Sequence, residues 1–244
     1  MNTSKEIEED IQTKNEEKNT KQLSNQQIEK LFTSLKTKEV DQEDFFIFLQ
    51  KVVHHIHDIV RKEKMDNEYI DNKMGNVSAR EILSAGKTLY MNPCLDYVLV
   101  TIEALKRIGI KDIYFVVNEL HCPGNWYKLH FGIEIIHDGE KYYIDYRSKN
   151  DVYLGKDSFS SKYEEKWEHM VNTIRIDADN IETDDTISSL MDKKLIQFRF
   201  FNPKTLDIIK AKLKNDNTEQ ERQEWFVAQV KHIHKPEIFI ENME

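Results

Sequence analysis

Hydrophobic positions divide this chain unevenly. Residues 1 to 25 hold a few scattered apolar side chains among Glu, Lys, Asn, Thr and Gln. Such a segment buries too little surface to offset its ordering entropy, so a mobile charged tail is expected. A short helix is expected over residues 26–36. Phe45, Leu49, Val52, Ile56 and Val60 then recur at helical spacing. Asp41 stands as an N-cap before them, and Glu43 and Asp44 occupy the first turn, where the helix dipole favours carboxylates. The pattern predicts a helix to about residue 64. Between 65 and 90 the signal is mixed, with Gly75 and Gly86 as breaks and a short helix near 78–83.

Asn92-Pro93 and Gly109 bracket the next helix, with proline at its start and glycine past its end. Its wheel is apolar on nearly every side, the polar stripe being only Asp96, Glu103 and Arg107. A helix of this kind belongs at the centre of a domain. The period then changes from helical to alternating. Residues 113–117 read as a strand and 121–125 as a turn; 126–137 and 141–147 form a hairpin about Asp138-Gly139. Past Asn150 the chain turns polar, with 177–185 as loop, 196–201 as a strand candidate, and 203–214 and 218–232 as two closing helices. The expected organisation is a tail, 1–25, and one α+β domain, 26–244. Within it lie a helical N-terminal part to residue 88, a core at 89–150, and an extension from 151.

Composition narrows the function. The chain of 244 residues carries a net charge of -9 and no Lys/Arg stripe interleaved with aromatics. That argues against a nucleic-acid partner, which needs a positive footprint. Apolar runs such as 113–117 are far too short to cross a bilayer, and the first residues lack the apolar stretch of a signal peptide. Only two cysteines occur, outside any C-x-x-C pair, which counts against a disulfide framework or a Cys-rich zinc site. A soluble, cytoplasmic protein is expected.

Several motifs fail on inspection. Gly86-Lys87-Thr88 resembles the tail of a phosphate-binding loop, but Glu81 stands where that loop needs its first glycine. His54, His57 and Asp58 fall opposite the apolar stripe of their helix, with His55 at its flank; a solvated face accounts for them better than a metal site, which needs buried support for its ligands. His232 and His234 are weaker still. Asp177-Ala-Asp179-Asn180 lacks the glycine of a calcium loop, and Ile181 occupies a ligand position.

The hairpin carries more. A two-residue turn at Asp138-Gly139 pairs His137 with Glu140, so paired numbers sum to 277. Only an odd sum brings Leu129, Phe131, Ile133 and Ile135 to the same side as Tyr142, Ile144 and Tyr146. His130 then lies opposite Arg147, and Asp145 is its diagonal neighbour on the same, polar face. Diagonal neighbours are roughly 7–8 Å apart at the backbone, within reach of an Asp–imidazole hydrogen bond. That face also holds Trp126, Lys128, Glu134, Lys141 and Tyr143, so an ordinary wet face fits equally. Cys94 alters the balance. As the second residue of the central helix, its thiol meets unpaired N–H groups and the positive dipole end, which favour thiolate and can serve an oxyanion. The alternative is a small buried hydrophobe.

Cys, then His, then Asp, on a helix start and two successive strands, resembles the transglutaminase-like superfamily. The residues that carry the resemblance are Asn92-Pro-Cys94-Leu-Asp96-Tyr97, Leu105-Lys-Arg-Ile-Gly-Ile110, His130-Phe-Gly-Ile-Glu134 and Tyr142-Tyr-Ile-Asp145-Tyr146. They span about 60 residues, a quarter of the chain. The resemblance implies a papain-like core with the Cys-bearing helix against an antiparallel sheet and flanking helices. It also implies that Cys94 is the nucleophile, His130 the general base and Asp145 its orienter. Leu95 stands where the animal cross-linking enzymes often have Trp, and Gly132 where an aromatic often follows the His. Asn92, Tyr90 and Trp126 are therefore candidates for the oxyanion donor, Asn92 also fitting a plain N-cap. The implied chemistry is thiol-dependent acyl transfer or hydrolysis on a peptide or protein substrate, with no metal or cofactor. A catalytically silent interaction module of the same fold is the competing expectation.

Overall fold

The computed structural model describes residues 22–35, 42–61, 76–88, 93–122, 126–148, 151–156 and 169–199. The predicted closing helices at 203–214 and 218–232 and nearly all of the charged tail fall outside these residues. Helix α1, Asn25–Leu31, starts at a capping box, in which Ser24 and Gln27 each accept the other's backbone N–H. Helix α2, Gln42–Ile59, buries completely the stripe predicted for it: Phe45, Leu49, Val52, Ile56 and Val60. It ends short of the expected residue 64. Helix α3, Ala79–Ala85, is closed by Gly86 in the left-handed conformation, φ 62°. The apparent phosphate-loop glycine is thus a helix C-cap.

Helix α4, Pro93–Ile108, is the central one. At its end the Ile110 N–H reaches the Leu105 carbonyl while Gly109 sits at φ 93°. Burial covers all sides of it, the polar stripe included. Asp96 and Glu103 are both buried, and Glu103 accepts bonds from Arg107 at 2.5 Å and Thr183 at 2.8 Å.

Strands β1 (Ile113–Cys122), β2 (Trp126–His137), β3 (Glu140–Ser148), β4 (Asp151–Gly155) and β5 (His169–Asp177) form one antiparallel sheet in the order β4-β3-β2-β1-β5. The protein is therefore a mixed α+β fold. Asp138 and Gly139 both take positive φ, 50° and 79°, as a two-residue hairpin turn of matching twist requires. The β2–β3 register is the one the turn dictates, His137 opposite Glu140 and Ile133 opposite Ile144. Helix α4 lies on the apolar face, where the Tyr97 ring stacks on Tyr146 at 5.2 Å. Phe45 of α2 covers the turn end of the hairpin, stacked on His137 at 3.9 Å and edge-on to Tyr142 at 4.9 Å.

Several expectations are corrected. β1 runs through His121 and Cys122, which the pattern assigned to a turn. It continues because Asn118 and Glu119, which interrupt the apolar run, are buried and answered by Thr173 and Asn172 of β5. β4 and β5 went unpredicted, as did helix α5, Ile187–Asp192, which Thr186 and Ser189 cap reciprocally. Residues 196–199 are not a strand. Ile196 donates to the Leu190 carbonyl and Arg199 to the Glu119 carboxylate, so their N–H groups are spent outside any ladder.

The histidines of α2 do not share one solvated face. His57 packs against the stacked Tyr97 and Tyr146 rings, at 4.6 and 5.7 Å, and burial, then the neighbouring His54, lowers its pKa. His55 bonds the Leu31 carbonyl at 2.7 Å, while His54 is exposed.

Candidate active site

His130 and Asp145 meet. His130 Nε2 donates to Asp145 Oδ1 at 2.5 Å. Because a carboxylate only accepts, this bond places the proton on Nε2, which makes Nδ1 the basic nitrogen of the neutral ring. His130 is 6% exposed and Asp145 0%, so this end of the hairpin face is not the wet surface that alternation allows.

The helix and the pair begin on different sides of the sheet. α4 packs on Tyr97's partner Tyr146, on the apolar face, while His130 and Asp145 alternate to the other. Backbone pairing between β2 and β3 ends at Ile133 and Ile144. Two residues beyond, the Phe131 N–H is directed to the Cys94 sulfur, as is the Leu95 N–H from the first turn of α4. The thiol thus sits where the two strands stop pairing, bonded to the residue next to His130 and within the field of Asp145. The site is built from a helix tip at the open end of a hairpin.

The resting electrostatics correct one expectation. Cys94 is 1% exposed, and its thiol is pushed up to about 12. Burial is the main cause; the carboxylates of Asp145 and Asp96 add to it, and the two amides oppose it. Placement at a helix tip therefore does not make a resting thiolate here, because desolvation of the anion outweighs the dipole. At neutral pH the sulfur keeps its proton.

Of the oxyanion candidates, Tyr90 and Asn92 lie outside the described residues, and Trp126 begins β2 opposite Cys122. The sequence reading passed over one polar neighbour, Asn118, which is fully buried and directly across from His130 on β1. Its signal was available: an amide ending the apolar run Ile113–Val117, at the position that pairs with the histidine. No family model matches the chain, and neither does any curated protein.

Proposed function

We propose that the protein performs thiol-dependent acyl transfer on a peptide or amide bond, as a cysteine protease or amidase with a transglutaminase-like core. One observation carries the reading: a buried, carboxylate-held imidazole on the residue next to Phe131, whose N–H is directed to the helix-tip thiol. Asp145 fixes the ring and its tautomer. As the Cys94 sulfur attacks the carbonyl carbon, its proton passes to His130 Nδ1 and the carbonyl electron pair moves to oxygen. Collapse of that intermediate breaks the C–N bond, and His130 protonates the departing amine. Water completes hydrolysis of the thioester, or an amine completes transamidation. Hydrolysis is favoured, since it needs no second binding site. The protonated resting thiol makes His130 a true general base, rather than half of a preformed ion pair.

The same thiol supports a second reading. A sulfur both covered and held near pKa 12 also suits a silent interaction module that keeps the fold. The test is labelling of the parent chain and Cys94→Ala by a peptidyl electrophile, with the adduct located by mass spectrometry. The parent should carry one adduct, on Cys94, and the variant none. Equal labelling of both, or a parent that never labels at Cys94, overturns the enzyme reading and favours the module.

A further inference from the structure

The polar row at the site continues past the His–Asp pair. β1 sets Asn118 directly across from His130, and β5 sets Thr173 across from Asn118. Directly paired residues share a face, with Cβ atoms about 4.5–5.5 Å apart. Asp145, His130, Asn118 and Thr173 therefore form one line over four neighbouring strands. Asn118 Oδ1 accepts the Thr173 hydroxyl at 2.9 Å. In this orientation the carboxamide oxygen faces β5, and on the other side of Asn118 the next residue in the row is His130. Asn118 is fully buried, and Nδ2 has no hydrogen-bond partner among the described residues.

An unfilled buried donor gives up its bond to water with nothing in return. A further valine after Val116 and Val117 would carry no such cost, and the run leading into position 118 is apolar. A donor kept unfilled across from the histidine of this site is suited to an acceptor that arrives only during reaction. We propose that Asn118 is a further catalytic residue, donating from Nδ2 to the oxyanion formed when Cys94 attacks an acyl group, with Thr173 as the positioning residue that holds the amide. This rests on the acyl-transfer reading above. In the step concerned, the C–S bond forms, the carbonyl π pair goes to oxygen, and the thiol proton goes to His130. The oxyanion then collapses and expels the leaving group.

The full chain tests this with two reagents. A p-nitrophenyl ester acylates Cys94 through an oxyanion and releases p-nitrophenolate; iodoacetamide alkylates the same sulfur by displacing iodide at a saturated carbon, with no oxyanion. Asn118→Ala should slow acylation roughly a hundredfold, the usual loss for one such donor, while leaving alkylation within about twofold. Thr173→Val should show a smaller loss in the same direction, again only with the ester. If Asn118→Ala does not fold, Asn118→Ser gives the same comparison. Equal slowing with both reagents, or with neither, makes Asn118 a structural sheet residue and overturns the proposal alone. A parent chain that iodoacetamide alkylates at Cys94 but the ester never acylates overturns the acyl-transfer reading, and this proposal with it.

Discussion

The two ends of the β2–β3 hairpin carry the same polar alternation and meet different surroundings. Toward the turn, Glu134 is answered by Arg175 at 2.5 Å and Lys141 at 3.9 Å. The Arg175 guanidinium lies 3.4 Å over the Tyr114 ring, and its side chain is 40% exposed. The Glu134 carboxylate is itself buried, but the cations that answer it reach solvent. Toward the open end, Asp145 has no exposure and its carboxylate holds an imidazole. Alternation thus identifies the shared face of the sheet. What each end of that face becomes is decided by what lies beside it, here the tip of α4 where β2 and β3 stop pairing with each other.

The contrast breaks most sharply at the carboxylates. Asp145→Asn should cut Cys94 acylation roughly ten thousandfold, because the imidazole loses the group that selects its tautomer and aim. Removing this charged, buried acceptor should also cost about 1.5–3 kcal/mol in denaturant unfolding. Comparable acylation by parent and variant would reduce the pair to a structural one.

A smaller effect lies in the alkaline limb of stability. The folded chain holds the Cys94 thiol above its ordinary 9.0, at about 12. Burial therefore favours the protonated form in the folded state. The stability this brings is fully present below pH 9 and is lost as pH rises toward 12, by up to about 1.4 kcal/mol per pH unit. Burial also raises Tyr97, Tyr143 and Tyr146, and unfolded tyrosines, half ionised at about pH 10, add a fall of their own. Cys94→Ala should remove the thiol's share and leave a shallower fall between pH 9 and 10. Unfolding curves with the same slope in parent and variant would show a thiol that is not desolvated.

The smallest effect is expected at the turn end. Glu134→Gln should change stability by less than about 1 kcal/mol, since the cations that answer this buried carboxylate are themselves 40% and 57% exposed, and leave acylation untouched. An acylation loss like that of Asp145→Asn would mean the two ends are one site.

What was legible in the sequence followed from local periodicity. The α2 stripe, the capped central helix and the hairpin register depend on neighbours three, four or two residues away, and on a turn whose length fixes the pairing. The meeting of His130 with Asp145 followed from that register. The continuation of β1 was not legible, since Asn118 and Glu119 are polar in sequence and acceptable in a strand only because β5 answers them from more than fifty residues away. β4 and β5 are edge strands, short or half polar, with weak patterns of their own. His57 turned inward for a similar reason: its wheel position is polar, but two tyrosines from α4 and β3 cover it. The thiol's high pKa depends on total burial, which a helix-tip argument does not contain.

The central claim is that His130 and Asp145 act on Cys94 as one unit. It is tested most directly by acylation rates of His130→Ala, Asp145→Asn and the double variant with one activated ester. Groups that work as a unit lose their effect together, so the double variant should be no slower than His130→Ala alone. Losses that multiply, or a His130→Ala chain acylated as fast as the parent, would contradict it.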